Sequence, residues 1–171
     1  FFRDAFSFPL DAVKRMKPFY VASLIGTLNT NNQGISLEEN LLRIAQEKGK
    51  LITGISSLEK DAEILSRISQ PDQVDYLFDE IESYSSGCTD ALKKEIFQAY
   101  QKADIERIYS LMTGSLKDHP EILENMFMAR NLSWMGSMKK LMSEQSCFFA
   151  VGVGHLPGEK GLIRLLQKDG Y

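Results

Sequence analysis

The sequence predicts an α/β (α+β) fold in which a mostly helical chain packs on a small sheet. Two short apolar segments, 51–55 and 148–151, have the length and the β-branched or aromatic content of strands. Most of the remaining chain carries apolar residues at helical spacing. The second strand passes through a glycine-rich turn into a helix, which is a connection typical of α/β sheets.

Start and stop signals indicate where the helices begin and end. Ser36 and Glu39 form a capping box, and Gly49 ends the helix that this box begins. Pro71 and Pro120 each open a helix, because proline suits the first helical turn. The helices are predicted at about 8–28, 36–47, 58–68, 71–85, 90–101, 104–112, 120–143 and from 162 onward, with a polar loop at 29–34.

The predicted sheet is incomplete, because two strands do not form a stable sheet by themselves. Both strands are apolar without alternation, as are strands covered on both faces. We therefore expect a single domain over residues 1–171 that is incomplete at both ends. Further strands would come from segments outside the chain or from a partner chain. Exposed sheet edges would favour a homo-oligomer.

Composition narrows the class of protein. The chain has 171 residues and a net charge of −3, which gives no reason to expect binding to nucleic acid or to an anionic membrane surface. Cys88 and Cys147 do not form a disulfide framework. The sequence contains no apolar run long enough for a transmembrane segment and no signal-peptide pattern.

The turn over residues 152–161 holds one of the two histidines of the chain. Gly152, Gly154 and Gly158 allow the backbone to turn sharply and to approach a ligand, so they are the candidate cofactor-binding residues. The start of the following helix offers free N–H groups to an anion. His155 can bind a metal or transfer a proton near neutral pH. A lone histidine after a strand can equally be structural, and both interpretations remain open.

The long predicted helix places Arg130 in the middle of an apolar stripe, four residues after Met126 and four before Trp134. A guanidinium in that position needs an anionic or carbonyl partner. Arg130 either pairs with a structural carboxylate or holds a carboxylate, carbonyl or phosphate of a substrate. The neighbouring Asn131 can both donate and accept hydrogen bonds.

Two other polar features are not predicted to have a catalytic or metal-binding role. His119 precedes the long helix and is predicted to be solvated or to help cap that helix. The acidic stretch 78–82 is predicted to be a solvated helix face rather than a carboxylate cluster for a metal.

Several segments resemble, in the expected order, motifs of the TraB/GumN family, which includes the Tiki proteins and is thought to be related to the erythromycin esterases. The resemblance covers about residues 10–171, and its last two motifs are the more specific. The matching segments are Lys17-Pro18-Phe19, Gly49 to Gly54, Arg130-Asn131-x-x-Trp134, and 149–158 together with Gly161-Leu162-Ile163 and Gly170-Tyr171.

The resemblance implies a metal-dependent hydrolase that cleaves a peptide or ester bond in a peptide or small-molecule substrate. His155 matches the second of two family Gly-x-x-His motifs, so it is the expected metal ligand or catalytic histidine. Arg130 and Asn131 are the expected polar residues of the same catalytic site. The expected cofactor is a divalent metal (Mn, Co or Zn), and the expected location is the bacterial cell envelope or periplasm.

The chain also departs from the family pattern. The first Gly-x-x-His motif is absent, and Ser56 and Ala129 stand where acidic residues are often found. A lone histidine cannot form a catalytic zinc site, which normally takes three protein ligands. The alternative is therefore a non-enzymatic binding or regulatory module on the same scaffold. A third possibility is an anion-binding domain that uses only the helix start after Gly158.

Overall fold

Every regular element in the part of the chain that the structure describes is helical. The structure is a computed structural model that describes residues 10–27 and 36–171. Its α-helices are α1 (Leu10–Val13), α2 (Pro18–Gly26), α3 (Leu37–Glu47), α4 (Leu58–Leu65), α5 (Gln70–Ser86), α6 (Cys88–Gln101), α7 (Ile105–Ser115), α8 (Pro120–Leu123), α9 (Ala129–Glu144) and α10 (Leu162–Lys168). The predicted α/β fold is therefore wrong: across these two ranges the fold is all-α.

The two predicted strands are unpaired segments. Within the described residues, no backbone hydrogen bonds of the ladder type join 51–55 or 148–151 to another segment. Leu51 is 79% exposed and Phe148 is 81% exposed, whereas Phe149 packs against the helical core. A strand needs a hydrogen-bonding neighbour, and apolar composition alone does not provide one.

Most predicted helix boundaries are confirmed. Ser36 and Glu39 form the capping box at the start of α3, and Gly49 follows the end of that helix with a φ of 60°. Ser57 accepts a hydrogen bond from the backbone of α4. Gly87 ends α5 in the left-handed conformation with a φ of 77°. Local signals were therefore sufficient to locate these ends.

The helix predicted over residues 8–28 is divided into α1 and α2. The break comes immediately before Pro18, where Lys17 has an extended backbone with ψ of 145°. Proline disfavours the helical conformation in the residue that precedes it, which explains the break. The predicted polar loop at 29–34 lies outside the described residues.

The long helix predicted from Pro120 contains a π-helical turn, Glu124–Met128, between α8 and α9. A π turn adds a residue to one turn of the helix and often occurs at functional sites. Here it ends directly before Ala129 and Arg130. It therefore sets the direction in which the side chains at the start of α9 project.

Two apolar clusters form the core, and the continuous helix made of α8, the π turn and α9 contributes to both. The first cluster is built on Phe19, Ile68, Leu116 and Ile122. The second cluster is built on Trp134, Met135, Met138 and Leu162. The candidate site lies on the part of this helix between the two clusters.

Two further observations concern the cysteines and the possibility of a membrane-spanning helix. Cys88 and Cys147 are both free thiols. Within residues 10–27 and 36–171, no helix combines the length and apolar character required to cross a membrane.

Candidate functional site

The structure brings together His155, Asn131 and Arg130, the three residues predicted to share a catalytic site. His155 ends a single 3-10 turn, Val153–His155, and only 8% of it is exposed. Its Nδ1 lies 2.7 Å from Oδ1 of Asn131. The Asn131 amide nitrogen donates to the backbone oxygens of His155 at 3.1 Å and Lys160 at 2.8 Å.

These bonds determine the tautomer of His155. Because the amide nitrogen of Asn131 faces two carbonyl oxygens, its Oδ1 is the end that faces the imidazole, and it can only accept. His155 Nδ1 must therefore carry a proton and donate it. The lone pair of the neutral ring is then on Nε2, which makes no hydrogen bond within the described residues.

The surroundings of His155 keep its ring neutral. Burial and, to a smaller extent, the nearby Arg130 guanidinium lower the pKa of His155, Asp61 acts in the opposite direction, and the resulting pKa is about 4. The rings of Trp134 and Phe127 pack beside the imidazole, with centroids 4.6 Å and 5.3 Å away. A neutral imidazole with an available Nε2 can accept a proton or act as a ligand.

Arg130 pairs with a carboxylate that the sequence analysis did not identify. Its Nη2 donates to Oδ2 of Asp61 at 3.0 Å, and both side chains are about a quarter exposed, at 24% and 23%. The guanidinium carbon lies 4.9 Å from the centroid of the Trp134 ring. The Nε of Arg130 is buried. Nη1 contacts the backbone oxygen of Met126 at 3.5 Å, so Nε is the guanidinium nitrogen that has no partner among the described residues.

Asp61 lies on α4, which packs against the π turn and α9. Ser56 Oγ donates to its Oδ1 at 2.7 Å. Desolvation acts to raise the pKa of Asp61, but the Ser56 hydroxyl, the Arg130 guanidinium and the nearby Trp134 indole together hold it below its ordinary value. Asp61 is therefore ionised. In the sequence it looks like an ordinary acidic residue in the first turn of a helix, so no local signal could have identified it.

Two of the three glycines predicted to bind a cofactor have a packing reason to be glycine. A Cβ on Gly154 would lie 2.8 Å from Cε1 of Phe127, and one on Gly158 would lie 2.6 Å from Cζ of Tyr109. Gly158 also has a φ of 86°, which favours glycine. Gly152 has more space, with no atom closer than 3.8 Å to the added Cβ. Cofactor binding by these glycines remains a prediction.

The described residues do not fit the divalent metal site that the resemblance implies. Across residues 10–27 and 36–171, no group of three or more His, Cys, Asp or Glu side chains could hold a metal ion. Asp61 is the carboxylate that interacts electrostatically with His155, and Arg130 and Ser56 already donate hydrogen bonds to it. A catalytic zinc normally takes three protein ligands, so His155 alone is not sufficient.

A shallow groove of 500 Å³ lies beside the glycine-rich turn. It is bordered on one side by Tyr109 of α7 and on the other by Ile163 and Arg164 of α10, with Pro157 at the turn. His155 does not line this groove. The groove offers a mixed polar and apolar surface next to the site rather than an enclosed pocket over the imidazole.

The prediction that His119 is solvated is wrong, whereas His119 does occupy the N-cap position of α8, where its backbone oxygen accepts from the Leu123 N–H at 3.1 Å. His119 is 4% exposed, so it is not solvated. It precedes α8, but its side chain makes no capping hydrogen bond to that helix. Both of its ring nitrogens contact carboxylates of α5 instead. The aspartates lie 47 and 40 residues away in the chain, so sequence spacing carried no signal for the cluster.

Comparison with known proteins gives one match. The model of the TraB/PrgY/gumN family matches residues 2–171. No curated protein and no solved structure matches the chain significantly. The family match spans almost the whole sequence and confirms the resemblance that the motifs indicated. The chain belongs to the TraB/PrgY/gumN family.

Proposed function

We propose that this chain supplies the proton acceptor of a hydrolytic site that cleaves peptide or ester bonds. The observation that carries the proposal is the bond between Nδ1 of His155 and Oδ1 of Asn131, which leaves Nε2 as the basic nitrogen. In the proposed step, Nε2 takes a proton from the attacking water as its oxygen bonds to the carbonyl carbon. The same proton then passes to the leaving oxygen or nitrogen as its bond to the carbonyl carbon breaks and the carbonyl double bond re-forms.

Asn131 and Arg130 have separate roles in this proposal. Asn131 keeps the Nδ1 tautomer and holds the ring in position, both before and after Nε2 gains its proton. Arg130 is tied to Asp61 through Nη2, but about a quarter of its side chain is exposed, so the guanidinium is a charged donor that a substrate can reach. A donor of this kind can stabilise the negative charge that develops on a carbonyl oxygen during attack.

The low pKa of His155 sets the pH range in which this residue can act as a base. Since the pKa is lowered to about 4, the ring is neutral and able to accept a proton at neutral pH. A base with so low a pKa is weak, so we expect slow turnover unless a bound group of negative charge raises the pKa. A divalent metal would use Nε2 as a ligand, but because the described donor set does not fit one, the proposal contains no metal-dependent step.

The test is hydrolysis of a panel of nitrophenyl esters and fluorogenic peptides by the whole chain. We expect activity that is lost in His155→Gln and reduced in Asn131→Ala. Arg164→Gln is the control, because it removes a charged side chain at the nearby groove and leaves the site intact. Full activity in a folded His155→Gln protein would contradict the proposal. Parallel assays with added Mn²⁺, Co²⁺ or Zn²⁺ and with chelator test the metal expectation.

A non-enzymatic binding or regulatory module is the second candidate. The ion pair between Arg130 and Asp61 favours it, because that pair already neutralises the cation that would hold a substrate. Ser56 and Ala129, at positions where the family often has acids, also fit a site without catalytic function. A folded protein that hydrolyses no member of the panel, with or without metal, would favour this candidate over the hydrolase.

A further inference from the structure

His119 is a buried histidine with a carboxylate at each ring nitrogen. It lies between α7 and α8 and is 4% exposed. Its Nδ1 is 3.2 Å from Oδ1 of Asp72, and its Nε2 is 2.9 Å from Oδ2 of Asp79. An ionised carboxylate only accepts hydrogen bonds, so both contacts are hydrogen bonds only if both ring nitrogens carry protons. With both carboxylates ionised, the geometry therefore requires the charged imidazolium.

The carboxylates depend on the imidazole in turn. Asp72 has a side chain that is 16% exposed, and its second oxygen, Oδ2, is buried without a partner among the described residues. Asp79 is more exposed, at 60%, and can be solvated. A neutral His119 would present a lone pair to one of these oxygens. An uncompensated buried carboxylate is costly, so Asp72 needs the imidazolium more than Asp79 does.

Further side chains surround the His119 ring. The ring of Tyr76 meets the imidazole edge to face at a centroid distance of 5.2 Å. Glu80 of α5 interacts with Tyr76 of the same helix and, electrostatically, with His119. Lys93 of α6 interacts electrostatically with Glu80. From α2, Phe19 stacks on Tyr76 and contributes no charge. Burial alone lowers the pKa of His119, but Asp79 and Asp72 together raise it above its ordinary value.

We propose that His119 is a proton-dependent clasp that joins α5 to the helix carrying Arg130 and Asn131. When His119 is protonated, it ties Asp72 and Asp79 of α5 to the residue immediately before α8. Loss of the proton breaks one of the two bonds and leaves Asp72 without its counter-charge. The contact between α5 and α8 then weakens at the end of the helix that leads through the π turn into the site.

The clasp predicts a specific dependence of stability on pH. The pKa of His119 is raised in the folded state, so its stabilising contribution is fully present below the unfolded value of about 6.5. The contribution is lost as the pH rises through the folded pKa. A mildly acidic compartment would therefore hold the site helix more firmly than an alkaline one.

Nitrogen-15 NMR of the histidine side chains tests the protonation state directly. We expect both ring nitrogens of His119 to carry protons at pH 7 and its titration midpoint to lie above that of an ordinary histidine. In Asp79→Asn, which removes one carboxylate at a half-exposed position, the midpoint should move down. A midpoint at or below the ordinary value in the wild-type protein would overturn the proposal.

Hydrogen exchange tests whether the clasp acts on the site helix. We expect the amides of α8 and the π turn to exchange faster, relative to the intrinsic rate, as the pH rises through the His119 midpoint. This pH-dependent step should be reduced in Asp79→Asn and absent in His119→Gln, and it should persist in His155→Gln, the matched control. If Asp79→Asn leaves the pH-dependent step unchanged, the clasp is not the cause and the proposal fails. These readouts do not depend on hydrolysis.

Discussion

Asn131 holds His155 at two points, since Oδ1 accepts from the imidazole Nδ1 at 2.7 Å and Nδ2 donates to the backbone oxygen of the same histidine at 3.1 Å. A single side chain thus sets both the ring tautomer and the path of the turn. Asn131 is 2% exposed, so water cannot replace these bonds. The catalytic orientation of His155 and the local stability of the turn therefore depend on the same residue.

Asn131→Asp should destabilise the fold and raise the pKa of His155. An aspartate can accept from Nδ1 but cannot donate to the two carbonyl oxygens, and unsatisfied buried groups cost about 1–3 kcal/mol each. The negative charge beside the imidazole favours its protonated form. Urea denaturation and an NMR titration of His155 measure the two effects.

Asn125→Asp is the control for that experiment, because Asn125 is also buried and donates to the backbone oxygen of Glu121 in the same helix. It should destabilise the chain and leave the pKa of His155 almost unchanged. If both variants shift the His155 titration equally, the specific role of Asn131 is refuted.

His155 should make the chain less stable at acidic pH. Its pKa is lowered to about 4 in the folded state, so the unfolded chain binds more protons between that value and 6.5. The stability due to this neutral ring is present above about 6.5 and falls as the pH decreases toward 4, by up to about 3 kcal/mol. Denaturation of the wild type and His155→Gln across this range should show a smaller pH dependence in the variant. If the free energy of unfolding changes with pH by the same amount in the wild type and the variant, this expectation is contradicted.

Arg130 and Asp61 should shift the His155 titration in opposite directions. Arg130 lowers the pKa of His155 and Asp61 raises it, so Arg130→Gln should raise the pKa and Asp61→Asn should lower it. Each variant leaves a partly buried charge without its partner, which should cost about 2 kcal/mol. The titration can be followed by NMR in both variants. Shifts of the same sign would show that burial changes, rather than charge, dominate.

Gly161→Ala should be far more damaging than Gly152→Ala. A Cβ on Gly161 would overlap the backbone oxygens of Pro157 and Leu156, which cannot move without reshaping the turn. We expect a loss of about 3 kcal/mol or more in urea denaturation. A Cβ on Gly152 would make only an ordinary van der Waals contact with Cδ2 of His155 at 3.8 Å, so Gly152→Ala should stay within about 0.5 kcal/mol of the wild type. Equal losses would indicate that the turn is not packed as described.

Local features of the fold were predictable from the sequence. The capping box at Ser36, the stop at Gly49 and the helix start near Pro71 depend on residues within a few positions of one another. The sequence motifs also identified Arg130 and His155 as members of one site, and the structure brings them together. The helix ends were predictable because the side chains and backbone groups that make them are close in the chain. Arg130 and His155 are far apart in the chain, so their common site was predicted only from the family resemblance, and their catalytic role stays a prediction.

The failures share a different cause. The predicted strands at 51–55 and 148–151 are wrong because a strand depends on a neighbour that may lie anywhere in the sequence. The π turn before Ala129 shifts the helix by one residue, and the regular spacing of the apolar stripe does not reveal such a shift. In each case the deciding interaction lies outside the local window.

The sequence by itself determined the family, most of the helix ends and the presence of a charged residue, Arg130, that needed a partner, whereas it predicted His119 to be solvated or to cap a helix. Only the tertiary structure decided which partners these residues have: Asp61 for Arg130, 69 residues away, and Asp72 for His119, 47 residues away. The physical reason is that helix caps are made by neighbouring residues, whereas a buried charge is neutralised by whichever side chain the packing of separate helices brings within about 3 Å.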